Sequence, residues 1–587
     1  MEAGVATRRG LWIALAVVLL IRIPFLNQAI QGDDHTYLAE AAHALIEPLH
    51  PAHTMYVYQG VPVDLRGHPH PPLDAWVLAG LIAIFGGVKE IPFHAAYIVF
   101  SLIAAWAMWS LARRFSPQPL WATLLFLAAP VFVINGTSLE TDLPFVAFWL
   151  AAIALFVSGR IAASCLAMAL ATMTAYQAVL LTPILGVYVW LFHRRDRARW
   201  AAVVVPPVVV VEWQLFERVS TGALPAAVLT GYLGIYETLE KKLMSAAELT
   251  IHFWFLIFPL LIPGALVLAW RKRRDRDTQF LLGWIAIFFG GALAIFFAGS
   301  ARYLLPMVAP VALLASRLRA RWLAIGFALQ MALALGLAAA NYQHWDAYRQ
   351  FALSQRPLTA SHRLWIDGEW GLRYYFEKDG GLPLLRTQRL RPDDVVVSAA
   401  LGHSVEVRAP KVTIAAVEVR PSVPLRIFGL ESHSGYSTVG QGFWPFGIGA
   451  GLVDRVRADR IVERHPTLEY LSTSAPEAAE QIAIGIDADH WMHKTAEVAL
   501  KSPAEAKPLR VEFYISPAAA ARRMTLRLDG REVASQSYPG PGAYVLASAP
   551  VRPAGPTAAV QLEVDRTFSP PGDLRDLGVV VTAVGFK

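Results

Sequence analysis

Apolar runs recur through the first 340 or so residues of the chain, unbroken in stretches such as 11–20 and 203–211, and then stop. The first, at residues 11–26, follows Arg8 and Arg9, and others occupy residues 73–88, 92–112, 120–134, 144–157, 161–175, 179–192, 200–216, 249–270, 280–298, 303–315 and 322–341. A positive start followed by an apolar run has the form of a signal peptide, but the many runs downstream make an uncleaved first span the better reading. Beyond residue 361 polarity is mixed, and from Arg510 to Lys587 apolar and polar residues alternate between Gly/Pro turns, as strands buried on one face require. The pattern predicts an α-helical polytopic membrane module over 1–344, a mixed α/β region over 345–489 and a β-sandwich over 490–587.

Charge gives the orientation. The clusters Arg194/Arg195/Arg197/Arg199, Arg271/Lys272/Arg273/Arg274 and Arg317/Arg319/Arg321 are separated by even numbers of runs, so they share one face, and basic loops mark the cytoplasm. Counting from them places the N-terminus inside and residues 28–72, 135–142, 219–247, 300–302 and everything after 341 outside, in a multi-pass protein of the inner (plasma) membrane. The run at 73–88, short and closed by Gly86-Gly87, reads as interfacial or re-entrant, which leaves about 11 crossings, or 13 if a pair is missed.

Composition agrees: 55% hydrophobic and 17% charged residues with a mean hydropathy of +0.42 exceed what a soluble fold can bury. The net charge of +7 would suggest nucleic acid in a soluble protein, but the excess sits in the short Arg clusters of the loops, so no nucleic-acid partner is expected. The one cysteine, Cys165, lies in an apolar run and excludes an internal disulfide, so the soluble region depends on its core.

The chemistry-bearing residues fall at the outer ends of the runs. Gly32-Asp33-Asp34-His35-Thr36-Tyr37 puts two adjacent carboxylates just after the first run, one able to take a proton from a hydroxyl while its neighbour orients it or holds a divalent cation; a plain N-cap is the alternative. His68-Pro69-His70-Pro71-Pro72 presents two histidines on a stiff backbone, for metal or phosphate, without further ligands at zinc-type spacing. Glu140-Thr-Asp142 occupies the next outer turn, where Asp142 can join Asp33 and Asp34 on one face. Ser300-Ala-Arg302-Tyr303 sets an Arg at the outer end of a late run, suited either to bidentate binding of a lipid-linked phosphate or to anchoring at the interface with Tyr303.

The order Asp33-Asp34-x-x-Tyr37, His70-Pro-Pro-Leu, Asp142-Leu-Pro144 and Arg302-Tyr-Leu-Leu-Pro306 resembles the GT-C superfamily of integral-membrane glycosyltransferases, in the branch of bacterial protein O-mannosyltransferases and lipid A aminoarabinose transferases. The resemblance covers residues 10–340. It implies transfer of a sugar from a polyprenyl phosphate donor to an acceptor at the outer leaflet, with inversion. Asp33 would be the base, Asp34 and Asp142 further catalytic acids, and Tyr37, His68, His70, Arg302 and Tyr303 substrate contacts. Many relatives have Lys where this chain has His70, which leaves open whether His70 meets the donor or, with Asp34, a divalent cation (Mg or Mn). The acceptor is left open among glycan, lipid and protein, as is a glycan-binding role for the sandwich. A secondary transporter or flippase of envelope glycolipids is the main alternative, but transporters keep ionisable residues near the midplane, whereas these lie at loop edges. A scaffold would need a single span.

Overall fold

The computed structural model describes residues 2–233, 239–295, 300–405, 407–437, 442–570, 573 and 575–587. The end of the apolar run 280–298, part of the outer loop 219–247 and part of the segment 568–578 lie outside the described residues. The chain forms two compact units. One comprises Met1–Met55, Asp64–Gln350 and Glu418–Asp454, the other Tyr56–Val63, Phe351–Val417 and Arg455–Lys587.

The first unit is helical. Among the described residues, four helical stretches, Glu90–Phe115, Arg197–Thr221, Arg276–Ala294 and Ala320–Ser354, are long and apolar enough to cross a membrane. Shorter apolar helices include Asp142–Val157, Ile161–Thr172 and Leu261–Arg271. Helix Leu73–Phe85 has 13 residues and ends at Gly86, whose φ of +69° is the left-handed conformation that stops a helix. At 1.5 Å per residue it reaches about 20 Å, short of the ~30 Å hydrocarbon layer. Three of the expected spans are split, one of them 200–216, which breaks at Val203-Val204 between Arg197–Ala202 and Val205–Thr221. Residues 120–134 form helices Pro119–Leu127 and Pro130–Asn135, and residues 249–270 are divided between Leu239–Phe253 and Leu261–Arg271. The latter two breaks fall at Pro130 and beside Pro259, where a missing N–H and a clashing ring interrupt the helical ladder. Alanines 104, 105, 107 and 112 of Glu90–Phe115 are fully buried, small enough for close helix approach, and Trp149, Trp284 and Phe288 fill the centre.

Arg22, at the end of the first helix, is buried, and its position bears on the site. Its guanidinium donates to the carbonyls of Phe132 and Val133 at 2.7 Å each and to Ser101 Oγ at 2.9 Å. It thereby satisfies open carbonyls of helix Pro130–Asn135 and fixes the start of the turn that follows. Gly136 lies against it: a Cβ there would come within 1.9 Å of the guanidinium, so a larger residue would push Arg22 off these carbonyls.

In the second unit a five-stranded sheet has the order Leu382–Pro383, Leu364–Asp367, Val395–Ala399, Asp454–Ile461, Lys411–Val419. The first three strands are parallel, with helix Trp370–Lys378 making the crossover, and Asp454–Ile461 is antiparallel. A four-stranded and a five-stranded antiparallel sheet then enclose one core that includes Val511, Phe513, Leu526, Val560 and Val584. Their first strands, Tyr470–Ser472 and Ile482–Ile486, lie upstream of residue 490. Residues Glu418–Asp454, whose polarity reads as part of the soluble region, cluster with the helical unit.

Candidate active site

Two turns and one helix start in the first unit build the site. Asp33 precedes helix Asp34–Ala44, and its backbone N–H donates to Glu140 Oε1 at 3.2 Å. The approach needs Gly32, which has φ +43° and at which a Cβ would stand 2.6 Å from the same oxygen. Arg302 opens the 3₁₀ turn Arg302–Met307 and reaches three carboxylates. It donates to Glu140 Oε2, lies 3.5 Å from Asp33 Oδ2 through Nη2, and 3.8 Å from Asp142 Oδ2 through Nε. That Nε is buried and makes no hydrogen bond. The guanidinium sits over the Tyr303 ring, 5.6 Å from its centre. Side-chain exposure separates the acids: Glu140 is 8% and Asp142 15% exposed, while Asp33 is 48% exposed and open to an incoming molecule.

Asp34 is placed differently. It is fully buried, Oδ1 accepts the Leu139 N–H at 2.7 Å and Oδ2 accepts the Gln31 N–H at 3.0 Å, so it ties the first loop to the second. The structure brings Asp33, Asp142 and Arg302 together and leaves the Asp34 carboxylate committed to backbone. Tyr37 and the two histidines form a neighbouring aromatic group. Tyr37 and His68 ring centres are 4.8 Å apart, and His68 and His70 5.2 Å. Tyr37 Oη and His70 Nδ1 each lie 3.2 Å from Thr141 Oγ1, while His68 Nδ1 is 3.0 Å from Glu40 Oε1.

The electrostatics follow from burial. Glu140 is pushed up to about 7 by burial, against the pull of Arg302 and with the negative charge of Asp33 and Asp142 adding to the rise. Asp34 is raised well above the usual carboxylate range by burial and by Glu140, with its two N–H donors opposing. Burial would lower the His68 imidazole, but the Glu40 carboxylate outweighs it and raises it. His70, with no such partner, is driven well down by burial and by the neighbouring His68 and Arg302 charges, and stands neutral. Among the described residues no group of three or more His, Cys, Asp or Glu side chains can hold a metal, and both Asp34 oxygens are taken by N–H groups that a cation would repel. Asp34 and His70 therefore do not fit the divalent-cation site that their types suggest.

Glu140, the first acid of the Glu140-Thr-Asp142 motif, is the main partner of Arg302, a role the sequence pattern does not assign to it. The signal is two acids in one turn, but which of them meets the Arg depends on the fold.

Residues 69–213 match the family model of dolichyl-phosphate-mannose-protein mannosyltransferases. The chain resembles the GT-C membrane glycosyltransferases. The matched segment includes His70, Glu140 and Asp142 and excludes Asp33 and Arg302, so the convergence of these last two on it is a result of geometry. The chain is also similar to the undecaprenyl phosphate-alpha-4-amino-4-deoxy-L-arabinose arabinosyl transferase of Enterobacter sp. (strain 638), with 25% identity over 339 residues, which are 52% of this chain and 59% of that relative. The chain thus spans under two thirds of that relative's length. Among solved structures, ArnT from Cupriavidus metallidurans bound to undecaprenyl phosphate aligns with 67% of this chain and 92% of its own at 15% identity and a TM-score of 0.45. The arabinofuranosyltransferase AftD from Mycobacteria aligns with 98% of this chain and 58% of its own at 12% identity and a TM-score of 0.35. With helices fit to cross a bilayer among the described residues, the GT-C likeness makes this an integral membrane protein.

Proposed function

We propose that this protein is a membrane glycosyltransferase that moves a sugar from a polyprenyl phosphate donor to an acceptor hydroxyl at the extracytoplasmic face, inverting the anomeric carbon. The observation that carries the reading is the meeting of the half-exposed Asp33 with the largely enclosed Arg302 and its acids Glu140 and Asp142, drawn from three distant parts of the chain. An orphaned buried Nε on Arg302 supports a phosphate ligand there, since planar guanidinium donors suit phosphate oxygens.

In the reaction the acceptor O–H gives its proton to the Asp33 carboxylate as its oxygen attacks the anomeric carbon. The bond from that carbon to the phosphate oxygen breaks, and polyprenyl phosphate leaves with the electron pair. Its charge is met by Arg302, a fixed cation that needs no reorganisation as charge develops. Base catalysis of this kind contributes about 10²- to 10⁴-fold. A protonated Glu140 removes one negative charge from the path of the arriving phosphate. Asp34 acts by holding Gln31 and Leu139, and Asp33 alone of the adjacent pair is the base. His70, neutral and 3.2 Å from Thr141 Oγ1, is suited to a hydrogen bond with the donor sugar or phosphate and not to charge pairing. The N-terminus is cytoplasmic and the second unit extracytoplasmic in this reading, and the acceptor is a glycan, lipid or protein of the envelope.

The test is sugar transfer by the purified protein in lipid nanodiscs, offered a panel of polyprenyl-phosphate sugars with and without Mg²⁺ or Mn²⁺. Release of polyprenyl phosphate with sugar on an envelope acceptor is the expected result. Movement of an intact glycolipid between leaflets, without cleavage of any donor, would replace the reading with a flippase.

A further inference from the structure

The segment Glu418–Asp454 comes from the polar half of the sequence, yet its Tyr436 sits beside the turn that bears Arg302. Tyr436 is buried at 4% exposure. Its carbonyl accepts two donors from the chain just before Arg302: Ser300 Oγ at 2.8 Å and the Ala301 N–H at 3.0 Å. Its hydroxyl donates to Asn135 Oδ1. Asn135 closes helix Pro130–Asn135, and its carbonyl accepts from Ser138 Oγ at 3.0 Å at the beginning of the turn that carries Glu140 and Asp142. One residue therefore joins the two turns whose charges face each other.

The segment is held in place on either side of Tyr436. The Gly435 N–H donates to the Trp444 carbonyl at 2.8 Å, and His252 Nε2 lies 3.1 Å from the Phe443 carbonyl. Phe255 meets the rings of Trp444 and Phe446 edge-on at 6.1 and 5.3 Å. On the other side, Phe428 packs on His344 and Trp345 at 5.4 and 6.0 Å.

We propose that Tyr436 is a positioning residue that sets the Arg302 guanidinium against the Glu140 and Asp142 carboxylates and so fixes the donor-phosphate contact. The proposal rests on the reading of Arg302 as the ligand of that phosphate. Tyr436 touches no reacting atom in this scheme; it acts through the Ser300 hydroxyl, the Ala301 N–H and Asn135. A misplacement of about 1 Å at such a contact is enough to cost ~100-fold in rate.

The experiment uses the full chain in nanodiscs, with the variants Tyr436→Phe, Asn135→Ala and their double, and Ser300→Ala as a second way to loosen the turn. Binding is measured with undecaprenyl phosphate alone, and transfer with an active donor and acceptor. Tyr436→Phe is expected to lower kcat/KM for the donor by about 10- to 100-fold and to weaken undecaprenyl phosphate binding, with the KM for the acceptor unchanged. The double variant is expected to be no worse than the poorer single one, since both break one hydrogen bond. Wild-type kinetics in Tyr436→Phe and Ser300→Ala would overturn the proposal, as would a lower kcat with both KM values and undecaprenyl phosphate affinity intact, which marks a reduced folded fraction. A wild-type protein that does not bind undecaprenyl phosphate would remove the donor reading and this proposal together, whereas binding equal in wild type and variants removes this proposal alone.

Discussion

Adjacent aspartates with opposite fates make the sharpest prediction. Asp33 is half exposed, and its side chain makes one long ion pair, 3.5 Å to Arg302. A pair that open to solvent contributes at most about 1 kcal/mol to stability. Asp33→Asn keeps the shape and removes the base, so the folded state is nearly unaffected. Transfer should fall by about 10²- to 10⁴-fold, which is about 2.7 to 5.4 kcal/mol of barrier. Asp34→Asn does the reverse. Asp34 is fully buried and each of its oxygens accepts a backbone N–H, at 2.7 and 3.0 Å. An amide offers one oxygen and turns an NH₂ toward the other donor, leaving a buried N–H without an acceptor at a cost of about 1–3 kcal/mol. Unfolding of the two variants in nanodiscs, followed beside single-turnover sugar transfer by the folded fraction, separates the effects. Near-normal turnover by Asp33→Asn, or a stable but inactive Asp34→Asn, would refute the assignment of base and brace.

Other outcomes follow from the same geometry. Between pH 4.5 and about 7 Glu140 binds more protons in the folded than in the unfolded state, so its contribution to stability falls as pH rises through that window. Once ionised it also competes with phosphate for Arg302, so the ratio of Glu140→Gln to wild-type affinity for undecaprenyl phosphate should grow as pH passes about 7 in a binding titration. Arg302→Met leaves two largely buried carboxylates without their cation and should cost about 3–5 kcal/mol at pH 8. The loss should shrink at pH 5.5, where Glu140 is protonated, as read by thermal unfolding at the two pH values. In the sandwich, Phe513 is 1% exposed with the Tyr538 ring 5.0 Å away, and Phe513→Ala should destabilise by about 3–5 kcal/mol in denaturant titration.

What the sequence made legible is what depends on local pattern. Strands from Arg510 onward show apolar–polar alternation because each buries one face, whereas Ile482–Ile486 reads Ile-Ala-Ile-Gly-Ile with no polar residue between the isoleucines and pairs with register shifts. Hydropathy over 120–134 and 249–270 is continuous, and only the prolines within or beside those runs carry the breaks that the structure has. The apparent carboxylate pair Asp33-Asp34 could not be resolved in the sequence, because neighbouring residues at a helix start point in different directions and one side chain turns inward. Glu140 needed the positive φ of Gly32 before it could receive the Asp33 N–H.

Residues 418–454 are the instructive failure of polarity as a guide. Their mixed composition is right for a soluble sheet, and the strands that flank them are indeed in one. Yet the interior of the segment uses its polar atoms on the helical unit: a tyrosine carbonyl for the Arg302 turn, a tyrosine hydroxyl for Asn135, a backbone carbonyl for His252. Such bonds are favoured where a membrane helix ends, because terminal backbone groups there need partners and a nearby polar loop supplies them. A segment that satisfies those groups is held in register with the charges beside them. In this chain the polar loop therefore brings order to the site: the short turns are anchored from Arg22 at one end and Tyr436 at the other, and between those anchors Arg302 meets its carboxylates.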